Sequence, residues 1–345
     1  LMVVSLIPVN SLMTKANAAS KTTFEGGKTV EDGTWKGWTW NVFGSSTDVT
    51  KAFATDTGNG GVTLEVTGDK GKINGSASDQ GLNTFLYELD KSYDFTITAQ
   101  AKVDTLAANA QAAFGLTIRD NVGAHGNTAK LTADKNNFAF VGGYGNQAAS
   151  GHGNAGYKTT ALAHTRLGES PEVGGTYDLA IQKVGDSVKL YFNGEVAAEC
   201  SADDLITDNA MYVGLFAARN AKVTFNNVKL AYTQDSSSVK VTTNVTAPKK
   251  TTYCAGNTYE DVDLTGFKAT VSVDGKEREI TASDCVVDMS NDPFAEVTDA
   301  GKLNLLYLGQ TIEVPITVIK EVVSDMYIEY MPVKTDYMVT DTALD

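Results

Sequence analysis

The residues of this chain best suited to hold a polar ligand gather between positions 119 and 157. An Arg-Asp pair opens the segment, and tyrosines, amides and a histidine follow in a stretch rich in Gly, Asn and Ala. Aromatic faces can cover the apolar side of a sugar ring, while fixed polar groups bond to its hydroxyls. The sequence therefore predicts a sugar-binding site formed by Arg119, Asp120, Tyr144, Asn146, His152, Asn154 and Tyr157. Gly-Tyr-Gly turns also occur in loops that bind nothing, so a structural role for these tyrosines stays open.

Two arginines stand at the ends of expected strands, Arg119 before Asp120 and Arg219 before Asn220. A guanidinium in such a place can hold a carboxylate through two parallel hydrogen bonds, which would suit an acidic sugar. It can equally pair with a neighbouring surface acid. The sequence leaves both roles open for each arginine.

Residues typical of catalysis or metal binding do not form a known pattern here. His125, His152 and His164 are 27 and 12 positions apart with no Cys nearby, unlike the short fixed spacing of a zinc site, so we expect solvated loop histidines. There is no Glu-x-Asp-x-x-Glu strand, Gly-x-Ser-x-Gly, His-Glu-x-x-His or phosphate loop. We predict no catalytic residue, metal or cofactor in this chain, and whether a longer parent protein is an enzyme stays open.

Charge and the first residues indicate an exported protein. A formal net charge of -14 without a basic block argues against nucleic acid and anionic membranes as partners. Leu1 to Leu12 is an apolar run too short to span a bilayer, and the small-x-small site Ala16-Asn17-Ala18 follows. Residues 1–18 are therefore predicted to be a secretory signal peptide whose basic n-region is missing. The alternative is a buried N-terminal strand.

Apolar residues alternate with a period of two along most of the chain. Phe95 to Val103 is the clearest example, and Asn193-Gly194 after another such run is a strong hairpin indicator. In Val223–Leu230 the phase changes, which a bulge at Asn226-Asn227 would absorb. No window of eleven or more residues keeps a helical apolar stripe. Many short strands with Gly and Asn turns predict an all-β protein with a two-sheet sandwich over residues 24–230.

Local features refine this prediction. Trp38 and Trp40 share one face of an expected strand and should lie in the core, with Trp35 exposed. Residues 121–165 contain no clear strand pattern and are expected to form one long loop, which in a sandwich is usually functional or mobile.

A second module is predicted over residues 247–320, after a Ser/Thr-rich linker at 231–246. Ile312 to Val318 alternates, and Pro315 on its polar face predicts an edge strand. Cys254 and Cys285 could pair, leaving Cys200 unpaired. Residues 331–345 repeat the Pro, Lys, Thr and Tyr that open the second module, so we expect the start of another copy within a longer protein.

The second module resembles the bacterial immunoglobulin-like repeats of group 3. The resemblance is carried by Tyr253-x-x-Gly256, Asp263-Leu264-Thr265-Gly266-Phe267, Asp274-Gly275 and Ile280-Thr281. Two extra residues between Gly256 and Asp263 depart from the pattern. The resemblance implies a small sandwich that serves as a spacer on exported bacterial proteins.

The first module resembles the concanavalin A-like (laminin G-like) jelly-roll domains of secreted bacterial polysaccharide-acting proteins. The similar segments are Phe114 to Asp120, Met211 to Ala221, Val223 to Val228 and the Phe192-Asn193-Gly194 hairpin. The likeness is greatest to the N-terminal domain of large pectate-lyase-like proteins from Firmicutes. It implies a jelly-roll β-sandwich, and none of that family's catalytic machinery has a counterpart here.

Two functions are compatible with these features. The first is a non-catalytic carbohydrate-associated module with an immunoglobulin-like spacer, in a secreted or cell-surface bacterial protein that degrades polysaccharides. Its expected partner is a polysaccharide, with an acidic pectin-like one the best match to the arginines, and the chain is expected to be a monomer without a membrane span. The alternative is a surface adhesin or structural stalk with no enzymatic domain.

Overall fold

The computed structural model describes residues 21–73, 80–131, 136–145, 147–153, 163–168 and 170–320. These residues form an all-β protein, with one short α-helix and several 3-10 turns, and within them no helix is long and apolar enough to cross a membrane. The strands are β1 (Thr22–Thr23), β2 (Trp38–Phe43), β3 (Ala52–Asp56), β4 (Val62–Val66), β5 (Leu82–Asp90), β6 (Asp94–Leu106), β7 (Ala113–Arg119), β8 (Phe138–Tyr144), β9 (Gln147–Gly153), β10 (Ala163–Arg166), β11 (Thr176–Val184), β12 (Ser187–Phe192), β13 (Glu195–Ser201), β14 (Ala210–Ala218), β15 (Ala221–Thr233), β16 (Lys240–Thr246), β17 (Thr252–Cys254), β18 (Lys268–Val273), β19 (Lys276–Thr281), β20 (Val286–Asp288), β21 (Thr298–Tyr307) and β22 (Gln310–Ile319). The helix α1 is Ala202–Leu205, and the 3-10 turns are Val49–Lys51, Ser236–Ser238, Tyr259–Asp261 and Ala282–Asp284.

The larger module is a sandwich of two antiparallel sheets. Sheet I has the order β1-β3-β4-β15-β6-β11-β12-β13, and sheet II has the order β10-β9-β8-β7-β14-β5-β2. The inward side chains of both sheets form one buried core, which includes the alternating residues of β6 and, from β7, Phe114, Leu116 and Ile118; those of β6 are Phe95, Ile97, Ala99, Ala101 and Val103. Period-two alternation thus predicted the inward face of these strands correctly.

Two local predictions about strands are confirmed. Asn193 and Gly194 have φ of 48° and 85° and connect β12 to β13, as the hairpin pattern requires. The pairing of β15 with β6 slips between Asn226 and Lys229, and Asn227 has φ of 51°. The bulge moves the downstream side chains of β15 to the opposite phase, which is the change seen in the sequence.

The predicted loop at 121–165 is wrong, because β8, β9 and the start of β10 lie within it. These strands extend sheet II, where β8 pairs with β7 and β9 pairs with β8. β8 has apolar residues on both faces, with Phe138 and Phe140 in one apolar cluster and Ala139 and Val141 in the other, so polar residues do not alternate with them. β9 consists of small and polar residues. Gly115 and Gly142 face each other with φ of 152° and 151°, and a Cβ on either would overlap a backbone carbonyl of the adjacent strand.

The prediction for Trp35 is also wrong. Trp38 and Trp40 lie in the core as expected, but Trp35 is only 4% exposed. Its ring makes edge contacts with Phe24, Trp38 and Phe85 at centroid distances of 6.4, 5.7 and 5.4 Å. Trp35 precedes β2, so the alternation of that strand does not govern where its side chain points.

The smaller module consists of two sheets, β16-β18-β19 and β17-β22-β21-β20, around a core of its own. The predicted linker at 231–246 is wrong, since β15 continues to Thr233 and β16 pairs with β18. Pro315 does not mark an edge strand, because β22 lies between β17 and β21. β17 pairs only with Thr317–Ile319, so the residue at 315 needs no N–H on that side. The cysteines at 200, 254 and 285 are free thiols.

The smaller module docks against the outer face of sheet I. Thr98 Oγ1 donates to Ser283 O at 2.7 Å, and Thr96 Oγ1 accepts the Leu308 N–H at 3.2 Å. An apolar cluster of Ala180, Tyr191, Val286 and the partly buried Leu306 joins the two modules. The outward threonines of β6 are therefore buried as well, with Thr96 1% exposed and Thr98 8% exposed.

The chain that connects the modules is also fixed. Asp94 and Lys183 form a buried ion pair at 3.6 Å, and Asp94 accepts the Ser236 N–H at 3.3 Å. Gln310 Nε2 donates to Ser236 O at 2.9 Å from the smaller module. These bonds hold the connecting 3-10 turn against both modules.

Candidate functional site

The outer face of sheet II, which carries part of the predicted sugar site, is itself buried. Phe43, Phe138, Phe140 and Phe216 form a second apolar cluster on this face. Ile73 belongs to the cluster, and Val122 and Leu131 from the segment after β7 pack against it. Side chains that project from this side of β7 and β8 therefore enter a covered layer.

Arg119, the last residue of β7, lies in that layer and is fully buried. Its Nη2 donates to Gln80 Oε1 at 2.5 Å and to Asn136 Oδ1 at 2.6 Å, and its Nε donates to Asn121 O at 3.2 Å. The guanidinium stacks near the rings of Phe43 and Phe138, with its carbon 5.6 and 5.1 Å from their centroids. Arg119 therefore supports the layer that covers sheet II, rather than offering the accessible clamp that the sequence suggested.

This polar cluster is not fully satisfied. Among the described residues, Arg119 Nη1 and Asn136 Nδ2 are buried without a hydrogen-bond partner. Burial lowers the pKa of Arg119 to about 10, against the opposing effect of Asp120. A guanidinium still carries its charge at neutral pH with such a pKa.

Asp120 is also buried, with 2% of its surface exposed. Its carboxylate accepts the Asn137 N–H at 2.9 Å and the Thr207 hydroxyl at 3.2 Å. Burial raises the pKa of Asp120 to about 6, and Arg119 and these hydrogen bonds oppose the increase. A carboxyl with this pKa resembles a general acid in its titration, but its burial places it out of reach of a polymer.

Tyr144 ends β8 and is partly buried. The Arg166 guanidinium lies over its ring at 5.1 Å and donates to its backbone carbonyl. Phe140 is 6.1 Å away on the same sheet, and burial raises the pKa of the Tyr144 hydroxyl. One face of this ring is therefore covered by an arginine that the sequence prediction did not include.

The remaining predicted site residues are only partly within the described structure. The backbone of His152 lies in β9, opposite Ala139 and Ala163. Asn146, Asn154 and Tyr157 lie outside the described residues. The predicted site as a whole therefore stays a prediction.

His125 has a structural role that the sequence did not suggest. Its Nδ1 accepts the Val42 N–H at 3.2 Å, and its ring meets the edge of Trp40 at 4.9 Å. Burial lowers its pKa, and the ring packs so closely on Gly26 that a Cβ there would overlap it. His125 is therefore not the solvated loop histidine that we expected.

Two clefts formed by the described residues are large enough to hold a ligand. The first, about 360 Å³, lies between the modules and is lined by Gln100, Tyr191, Asn193, Tyr259 and Cys285 among others. The second, about 580 Å³, lies at one end of the larger sandwich and is lined by Ser45, Ser46, Thr47, Asp48, Val49, Lys70, Lys72, Thr128 and Arg219. We call the second the basic cleft. Of its charged residues, the sequence indicated only Arg219, because lysines distant along the chain give no pattern.

No group of three or more His, Cys, Asp or Glu side chains suited to a metal ion occurs within the described part of the chain.

Comparison with known proteins gives one sequence relative and several weak structural similarities. The chain is 29% identical over 311 residues to pectate lyase L of Thermoclostridium stercorarium, covering 88% of this chain and 23% of that protein. The chain thus spans about a quarter of the length of this relative. No protein-family model matches the chain.

Among solved structures, carbohydrate binding module CBM66 from Bacillus subtilis is 17% identical, with a TM-score of 0.33, covering 62% of this chain and 96% of that one. The lectin UEA-II complexed with galactose is 11% identical, with a TM-score of 0.37, covering 62% and 98%. The all-β architecture described above rests on the strands and their pairing, not on these similarities.

Proposed function

We propose that this chain is a non-catalytic, carbohydrate-associated jelly-roll module with an attached immunoglobulin-like spacer, from an exported bacterial protein that acts on polysaccharides. The observation that carries the proposal is the relation to pectate lyase L over 88% of the chain. The larger module ends near residue 233 of 345, so a match of that extent involves both modules. The polysaccharide expected as partner is pectate or a similar acidic polymer.

The chemistry of the described residues supports a binding role over a catalytic one. Asp120 has the pKa of an acid catalyst, about 6, but it is enclosed by Asn137 and Thr207. A glycosidase needs a pair of carboxylates that face the substrate about 5 to 9.5 Å apart. Each of the two clefts is lined by one carboxylate rather than a pair, Asp178 in the first and Asp48 in the second. Their other polar groups are hydroxyls and amides and, in the basic cleft, cations, which hold a sugar without breaking its bonds.

Binding and turnover measured on one preparation of the full chain test this proposal. We expect retention on immobilised polygalacturonate, weakened by salt because exposed charges are screened, with no release of sugar from pectin, xylan or glucan. Bovine serum albumin with the same matrix controls for nonspecific retention.

Each alternative has its own outcome. Turnover that one Asp or Glu substitution abolishes would contradict the non-catalytic role. If the chain binds none of a broad set of polysaccharides, it is better explained as a spacer or adhesin stalk.

A further inference from the structure

We propose that the basic cleft binds the carboxylate of a uronate residue within an acidic polysaccharide. This inference rests on the proposed function and assigns it a site, on residues other than the predicted Arg119 to Tyr157 set. The cleft lies at the end of the larger sandwich, where the Arg219-Asn220 turn connects β14 of sheet II to β15 of sheet I.

The charge of this cleft is opposite to that of the chain. Lys70, Lys72 and Arg219 line it, while the whole chain carries a formal charge of -14. Asp48 is the one acid among the lining residues of this cleft. Its carboxylate already accepts the N–H and hydroxyl of Thr50 at 3.1 and 2.6 Å, and Lys51 lies 3.7 Å away. Lys70 and Arg219 alone outnumber this one carboxylate, so the cleft keeps a net positive charge that attracts an anion.

Arg219 has a backbone conformation that Gly and Asn adopt more readily than Arg does. Its φ is 51° and that of Asn220 is 43°, so both lie in the left-handed region. Gly and Asn adopt this region at lower cost than Arg does. A residue held in an unfavourable conformation often serves through its side chain, and here the turn directs that side chain to the cleft.

Hydrogen bonds fix the position of the Arg219 guanidinium and still leave some of its N–H donors available. Its Nε donates to Gly71 O at 3.1 Å, and its Nη1 reaches Asn109 Oδ1 at 3.4 Å. A guanidinium has five N–H donors in a fixed fork, so donors remain for a carboxylate. Arg119, by contrast, donates to Gln80, Asn121 and Asn136 and is fully buried, so a polymer cannot reach its guanidinium.

Backbone hydrogen bonds fix the walls of the cleft before any ligand arrives. The Gly71 N–H donates to Ser46 O, which joins the wall at 45–49 to the wall that carries Lys70 and Lys72. Asn220 N donates to Gly68 O at 2.8 Å, and Gly44 N donates to Asn127 O at 2.9 Å beside Thr128. The lining hydroxyls of Thr47 and Thr128 then suit the ring hydroxyls of the same sugar.

The test compares two forms of one polymer, one with ionised carboxylates and one with neutral methyl esters. The full chain is titrated with polygalacturonate and with its fully methyl-esterified form, in low and high salt. We expect the esterified polymer to bind at least tenfold more weakly, because its carboxylates are neutral. The double variant Arg219→Asn, Lys70→Gln should lose about tenfold or more in affinity for polygalacturonate.

The variants are chosen so that folding is not in question. Arg219→Asn loses the hydrogen bonds to Gly71 O and Asn109 Oδ1, but Asn accepts the left-handed conformation at lower cost, so the two effects oppose each other and the melting temperature should change little. Lys70 is exposed, and its replacement touches no core residue. Lys91→Gln with Lys276→Gln is the matched control, because it removes two exposed positive charges elsewhere and should leave affinity within about twofold.

The outcomes separate the site from the function. If the wild type binds polygalacturonate and the double variant binds as well, the cleft is the wrong site and the proposed function stands. If the wild type binds no polysaccharide, both fail. Equal affinity for the esterified polymer would contradict carboxylate recognition, and equal affinity for double-stranded DNA would reduce the cleft to a nonspecific anion site.

Discussion

Replacing Asp120 by Asn should stabilise the larger sandwich above pH 6 and change little near pH 4. Burial raises the pKa of this carboxyl from 3.8 to about 6 in the folded protein. The folded state therefore holds the proton more tightly than the unfolded state, so the stability of the wild type falls as the pH rises from about 4 to about 6. Since each pKa unit corresponds to about 1.4 kcal/mol, the ionised carboxylate costs up to about 3 kcal/mol at neutral pH.

The amide avoids this cost because it has no charge to bury. Its oxygen can still accept the Asn137 N–H, which the carboxylate accepts at 2.9 Å. We expect Asp120→Asn to raise the free energy of unfolding by about 2 to 3 kcal/mol at pH 7.5 and by less than about 0.5 kcal/mol at pH 4.

Urea unfolding followed by tryptophan fluorescence at both pH values measures this difference, since the buried tryptophans belong to the same module. Asp69→Asn, at an exposed position, is the control and should shift stability equally at both pH values. A variant that is less stable than the wild type at pH 7.5, or equally shifted at pH 4 and 7.5, would refute the reasoning.

Other substitutions test the packing and the junction. Gly115→Ala places a Cβ against the carbonyl of the neighbouring strand at φ of 152° and should cost about 3 kcal/mol in urea unfolding; Gly126→Ala, with open space around it, should cost about 1 kcal/mol. Thr96→Val removes the acceptor for a backbone N–H of the smaller module and should cost about 1 to 3 kcal/mol, with faster amide exchange at that N–H; unchanged exchange would argue against the docked arrangement. Trp40→Phe leaves Asn83 Oδ1 without its 2.7 Å donor and should cost a similar amount by thermal unfolding; an unchanged melting temperature would mean that the bond contributes nothing.

The sequence predicted those parts of the fold that local chemistry decides. The Asn193-Gly194 turn and the slip at Asn226 depend on residues next to each other along the chain. The inward face of β6 follows from alternation, because its large apolar residues all point to the core between the two sheets.

The features that the sequence did not predict depend on segments that cover the outer faces of the sandwich. Thr96 and Thr98 look like solvent-facing residues, but the smaller module covers them. The strand β8 was missed because both of its faces are buried, so apolar residues follow one another without alternating with polar ones. The strand β9 was missed because it consists of small and polar residues. The Ser- and Thr-rich sequence around β16 predicted a linker, although β16 pairs with β18 and its Val241 and Val245 pack against the core of the smaller module.

The two strand ends that contain an arginine show why the candidate site could not be predicted from the sequence. Arg119 and Arg219 have nearly identical local sequence, Arg followed by Asp or Asn. Arg119 is directed into the buried layer on sheet II, whereas Arg219 lies in a turn that crosses from one sheet to the other. Only the position of each residue in three dimensions separates a structural cation from one that can meet a ligand.

The fixed junction between the modules determines how rigidly one module would hold the other. Only residues 234–239 separate β15 from β16, a length that reaches at most about 20 Å when extended, and the turn at Ser236–Ser238 is held from both sides. A flexible tether spreads an attached group through a volume set by its length. A rigid connection of this kind restricts the attached group to a narrow range of orientations. A sugar chain bound in the basic cleft would therefore keep a fixed angle to the axis of β22.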